Sequence, residues 1–265
     1  MRKSVVLVVL LAVCTVNAAD SPPGWELVWN DEFDGLALDR SKWEFEVNAQ
    51  GGGNNELQYY LTNNVKVRDG LLTIEARREH YTGPGGTRDY TSARIRTKRK
   101  GDWRCGRFDI RAKLPKGKGM WPAIWMLPTD DRYGGWPNSG EIDIMELVGH
   151  EPNKVHGTLH YSDPVKGHDY KGTNYALTTG TFADGFHIFR LAWEPGTMRW
   201  YVDGELYQTQ TNWRTRNKSF PAPFDQRFHL LLNLAVGGNW PGQPDATTVF
   251  PQAMAVDYVR VYRKQ

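Results

Sequence analysis

The chain has 265 residues, a formal charge of +3, 24% charged residues and 12% aromatic ones, among them eleven Trp and twelve Tyr. So even a charge balance excludes a specialist for nucleic acid or anionic membranes, whose surfaces call for concentrated positive charge. Two cysteines exclude a disulfide scaffold, and the surplus of flat aromatic rings with polar edges suits sugars as well as a core.

At the N-terminus, Arg2 and Lys3 precede an apolar run over residues 5–13, and Val16 with Ala18, or Asn17 with Ala19, offers a small-residue cleavage site before Asp20. This is the pattern of a secretory signal peptide, and the run is too short for a comfortable membrane span. Residues 1–19 are therefore expected to be removed, and the mature protein to be exported, to the extracellular space or a periplasm. Cys14 falls in this leader, after Val13 where a lipid-anchoring signal wants a small residue; Cys105 is then the one mature thiol and no internal disulfide forms. Without the leader's two basic residues the formal charge falls to about +1 or +2 by counting. Residues 20–265 contain no Pro/Ser-rich linker, charge block or repeat, so they read as a single large β domain. Nothing in them suggests an obligate oligomer, and a monomer is expected.

Helical periodicity is nearly absent. Short apolar or alternating runs bounded by Gly, Pro, Asn and Asp predict strands over residues 26–29, 65–68, 71–76, 93–97, 106–113, 123–126, 141–147, 155–161, 187–193, 199–202, 205–209, 228–236 and 255–263. So many strands imply an all-β sandwich of two antiparallel sheets, with the β-jelly roll as the preferred form. Asp203-Gly204 is a type I′ hairpin signal. With Glu194-Pro195-Gly196 before it, it makes residues 187–210 a meander.

The segment 140–149 reads GEIDIMELVG, and its only charges are Glu141, Asp143 and Glu146. Carboxylates among Ile142, Ile144, Met145 and Leu147 are costly to bury and point to chemistry. Alternation puts Glu141 and Asp143 on one strand face but leaves Glu146 out of phase. A β-bulge, most simply at Met145, returns it to the acidic face. Four effective steps then separate the glutamate Cα atoms by roughly 13 Å, at about 3.3 Å per step. Inward-leaning side chains leave a carboxyl gap on the order of 5 Å, the spacing of a retaining glycosidase. Trp121 and Trp125 are four apart, so they share one face of a strand, and Trp240 lies in the glycine-rich loop 237–242, which reads as a cleft wall or equally as plain turn chemistry. His156 and His160 share parity on the following strand, with His160 favoured as the closer contact.

The blocks VWNDEFDG from Val28, NNELQYY from Asn54, GRFDIRAKLPKGKGMWPAIWMLP from Gly106, GEIDIMELVG from Gly140, VHGTLHY from Val155, FHLLLNLAVGGNWPG from Phe228 and AVDYVRVY from Ala255 resemble glycoside hydrolase family 16. Within it they are similar to the bacterial-type endo-1,3-β-glucanases, or laminarinases, over nearly the whole mature length. The resemblance implies a concave-faced jelly roll and retaining hydrolysis of a β-glucan, with Glu141 as nucleophile, Glu146 as general acid/base and Asp143 as the partner between them. It also implies that Trp121 and Trp125 form a sugar-stacking floor, that Asn48, Asn55, Glu56 and Arg94 read hydroxyls and that His160 touches substrate. A structural Ca²⁺ is implied on the convex face, held by Glu32, the Gly70 carbonyl and Asp257; none is needed for the chemistry. Mixed-linkage 1,3-1,4-β-glucanase, other polysaccharide hydrolases of the family, transglycosylase and a non-catalytic β-glucan-binding module remain as alternatives. The last fits poorly with three retained acids.

Overall fold

The structure, a computed structural model, describes residues 21–216 and 218–265, so the leader reading lies outside the described residues. Two large antiparallel sheets face each other. One runs, in spatial order, through Glu205–Gln210, Thr197–Val202, His187–Glu194, Gly106–Lys113, Gln252–Lys264, Leu71–Ala76 and Val65–Arg68, with Trp25–Asp31 also paired to Gln252–Lys264. The other runs through Gly167–Ala176, Lys154–Asp163, Glu141–Glu146, Met120–Pro128, Phe228–Val236, Arg94–Arg96 and Glu44–Glu46, with Asp102–Trp103 beside Phe228–Val236. The jelly-roll expectation holds. Every predicted strand is present, with ends moved by a few residues.

The hairpin at Asp203-Gly204 has positive φ at both positions, 51° and 93°, as a type I′ turn requires. The long strand Gly167–Ala176 was not foreseen. It is an edge strand with mostly exposed residues, pairs among the described residues only with Lys154–Asp163, and carries no apolar stripe from which periodicity could find it. The short strands Glu44–Glu46, Gln58–Tyr60 and Tyr90–Ser92 were missed because three residues give no period.

Between the sheets lies one continuous core, with Trp43, Trp193, Trp200, Phe108, Phe189 and Phe228 all buried. Strand Phe228–Val236 is buried at every position, which fixes the middle of the second sheet. Strand Glu141–Glu146 is two places away, between Met120–Pro128 and Lys154–Asp163. Its Ile142, Ile144 and Met145 enter the core, so its other face is held rigidly toward the cleft.

Candidate active site

The expected bulge is present. Asp143 pairs with Thr158 and Glu146 with His156, so Ile144 and Met145 together oppose Gly157. On the other side Met145 pairs with Ile124 and Asp143 with Trp125, which makes Ile144 the skipped residue. The extra residue is thus Ile144 toward one neighbour and is shared with Met145 toward the other. Two features secure it. Trp200 of the opposite sheet donates its indole N–H to the Asp143 carbonyl at 2.8 Å, satisfying an acceptor turned into the core. Gly157 makes room: a Cβ there would stand 2.6 Å from both Trp200 and the Tyr207 hydroxyl.

Each glutamate has its own tryptophan. Trp121 Nε1 donates to Glu146 Oε1 at 3.0 Å, and Trp136 Nε1 donates to Glu141 Oε2 at 2.7 Å. His160 Nε2 stands 3.2 Å from Asp143 Oδ2, and His160 Nδ1 is 3.0 Å from His168 Nε2. Burial raises all three carboxyls. Glu141 is pushed up to about 8 by burial and by the Asp143 charge, against the pull of His160 and the Trp136 N–H. Asp143 is raised to about 7 by burial, eased by its hydrogen bond with Glu141. Glu146 is raised well above the usual carboxylate range by burial and by repulsion from both other acids. Three buried acids cannot all ionise at neutral pH, and Glu146, repelled by both of the others, is held protonated. That is the state a general acid needs, while Glu141 accepts the Trp136 indole N–H, a donor that favours its carboxylate.

Trp121 and Trp125 lie on the same face of Met120–Pro128, half-buried, with Ala123 between them. Trp125 donates to Asn233 Oδ1 at 2.7 Å. Trp121 meets Trp240 edge-on at 5.6 Å, and His156 packs on Trp240 at 5.0 Å, so both histidines of that strand reach the cleft. Arg94 lies over the Tyr60 and Trp125 rings at 4.8 and 5.2 Å and is paired with Glu46 at 3.3 Å. Asn48 and Arg94 line a hollow of about 500 Å³ at the far edge of the same sheet.

Two expected hydroxyl readers, Glu56 and Asn55, also bond to the protein itself. Glu56 is only 6% exposed and accepts from Gln58 Nε2 at 2.7 Å and the Tyr60 hydroxyl at 3.0 Å. Its Oε2 is also 4.0 Å from Arg94, so it helps to position that side chain. Asn55 donates its amide to Asn239 Oδ1 at 2.9 Å, while Asn239 N–H donates to the Asn54 carbonyl at 2.8 Å. These bonds stitch the loop that carries Trp240 to the neighbouring loop.

The expected calcium ligands do not fit a cation as arranged. Arg260 takes both Glu32 oxygens, at 2.9 and 2.8 Å, and Asn30 adds a third bond. Arg111 takes Asp257 at 2.5 Å. Gly70 holds its expected turn, with φ of +74°. A guanidinium on each carboxylate already supplies the positive charge that a cation would bring.

Sequence reasoning missed Trp136, Asn233 and His168. The only signal for Trp136 was its place in GGWPNSG, directly before the acidic strand.

Residues 51–260 match the family model for glycosyl hydrolases family 16. The chain belongs to this family. A β-glucanase of Rhodothermus marinus is 46% identical over 99% of this chain and 95% of its own length. The laminarinase catalytic domain of Thermotoga maritima superposes with a TM-score of 0.83 at 44% identity, covering 91% of this chain and 99% of that one. The laminarinase of Rhodothermus marinus gives a TM-score of 0.81 at 47% identity, over 90% of this chain and 97% of that one. A β-1,3-glucan-binding protein of Penaeus monodon is also similar, at 34% identity over 95% of this chain and 86% of its own length.

Proposed function

We propose that this family 16 enzyme is an exported, endo-acting 1,3-β-glucanase that cleaves laminarin-type glucan with retention of configuration. One observation carries the reading: a bulged strand that brings Glu141, Asp143 and Glu146 to one face, each glutamate bonded to its own indole N–H. The relatives named as laminarinases and β-glucanases support the substrate. A binding module would have no use for three mutually repelling buried acids.

In the reaction, Glu141 attacks the anomeric carbon and the glycosidic C–O bond breaks as Glu146 gives its proton to the leaving oxygen. A glycosyl ester on Glu141 results. Glu146, now a carboxylate, takes a proton from water, whose oxygen displaces Glu141 from the same carbon. Asp143 sits beside Glu141 on the same strand face, where its charge raises the Glu141 carboxyl. Trp121 and Trp125 offer faces to the sugar rings, each contact worth about 0.5–1.5 kcal/mol by analogy with aromatic pairs.

The test is laminarin digestion followed by sizing and by NMR of the first reducing ends. Long oligosaccharides released early as β-anomers are expected. First-formed α-anomers would sink the retaining mechanism, and activity confined to galactans the substrate. Mixed-linkage glucan belongs in the same assay, because a 40%-identical neighbour is a non-specific endo-β-1,3(4)-glucanase.

A further inference from the structure

The acid cluster offers a second chemistry that hydrolysis does not use. One oxygen each from Glu141 and Asp143 and one ring nitrogen of His160 all lie within 4.8 Å of one another. Donors held tetrahedrally at 2.0–2.1 Å from a zinc ion stand about 3.3 Å apart. The 3.2 Å between Asp143 Oδ2 and His160 Nε2 already has that span, and a Glu141 oxygen lies within 4.8 Å of both.

Two further features point to a ligand. Asp143 is 2% exposed, and its buried Oδ2 accepts no hydrogen bond among the described residues. Its nearest polar neighbour is His160 Nε2, and when that nitrogen carries no proton the buried lone pair is left unanswered, at a cost that an ion would remove. His160 has its other nitrogen tied to His168 at 3.0 Å. With Nδ1–H donated to His168, the Nε2 lone pair faces Asp143, which is the outer-shell support that histidine ligands usually have.

We propose that Glu141, Asp143 and His160 form a binding site for a divalent transition-metal ion of the Zn²⁺ or Cu²⁺ class, and that its capture reversibly switches off hydrolysis. One imidazole with two carboxylates suits these ions. Calcium and magnesium want more oxygen ligands than the site supplies. On capture, the proton held within the cluster leaves to solvent and the Glu141 lone pair that attacks the anomeric carbon is donated to the metal. Glu146 stays outside the ligand set. The blocking half rests on the reading of Glu141 as nucleophile; the binding half does not.

The test is calorimetric titration of Zn²⁺ and Cu²⁺ into the full chain carrying Cys105→Ser, which removes the free thiol as a competing soft ligand. One ion per chain is expected, with Cu²⁺ tighter than Zn²⁺. Asp143→Asn and His160→Gln should each weaken binding at least about tenfold, while inactive Glu146→Gln still binds. His80→Gln and His187→Gln remove the other His–Asp pairs and should leave the isotherm unchanged. Laminarin hydrolysis should be inhibited competitively and recover fully on adding EDTA. An isotherm unaltered by His160→Gln, or no binding at millimolar metal, overturns the site. Full hydrolysis by the metal-saturated chain overturns the blocking. Glu141→Gln measured without metal tests the nucleophile separately, so the two failures are distinguishable.

Discussion

Glu141, Asp143 and Glu146 are held in a state that costs stability. Their folded-state pKa values lie above the usual carboxylate range, Glu141 at about 8 and Asp143 at about 7, so the folded chain binds more protons than the unfolded one. Stability contributed by the protonated forms is complete at acid pH and is lost as pH rises toward about 8. Glutamine at position 141 or 146 keeps the shape without the charge. Each variant should lose at least about 10²-fold in laminarin hydrolysis, the lower end of what proton transfer supplies, and yet melt higher than wild type. The gain should be at least about 2–4 °C, as 1 kcal/mol gives in a domain of this size, and should grow from acid to neutral pH. Melting curves at several pH values check this; an equal or lower melting temperature at neutral pH would show that burial is not the cause of the raised pKa values. Sequence made the three acids, Trp121, Trp125 and His160 legible because spacing along each of their three strands fixes which way a side chain faces. Trp136, Asn233 and His168 were not legible, since each matters through a partner on another element. Motif position also did not reveal that Gln58 and Tyr60 both donate to one Glu56 oxygen, or that Asn55 donates to Asn239.

At the scale of elements, the bulge in Glu141–Glu146 depends on its neighbours. Gly157 leaves space for Trp200, whose indole binds the carbonyl that the bulge turns inward. In Gly157→Ala the new methyl would meet Trp200 and Tyr207 at 2.6 Å, and overpacking of this kind costs about 1–3 kcal/mol. Because relief comes by shifting the bulge, activity should fall by more than the folded fraction explains. The measurements are denaturant unfolding and kcat on laminarin for the same sample. Loss of stability at full kcat would mean that Glu146 does not depend on this contact. The bulge was legible as a phase error in GEIDIME; its support by Trp200 was not, because that residue lies fifty-seven positions away in the chain.

For the whole molecule, the sandwich divides labour between its sheets. One gives its outer face to the cleft, and the other gives its outer face to ion pairs that fasten the chain ends: Arg260 to Glu32 and Arg111 to Asp257. Arginine on both expected calcium ligands predicts that chelation by EGTA, or millimolar added Ca²⁺, leaves the melting temperature unchanged. A shift of several degrees in either experiment would mean that the arginines give way to the ion. The two-sheet architecture was legible because thirteen apolar runs must bury two faces. The edge strand Gly167–Ala176, which brings His168 beside His160, was hidden by its exposure.

Under the proposed function, Trp121 joins substrate stacking to proton donation within one ring, its N–H meeting Glu146. An indole's emission responds both to a sugar laid on its face and to the charge of a carboxyl at its edge. The enzyme therefore carries its own optical gauge of the acid's protonation. The difference in fluorescence between wild type and Trp121→Phe should titrate with the basic limb of the activity profile, and laminarin should shift that titration. A difference signal flat in pH would show that the ring does not sense the proton it helps to hold.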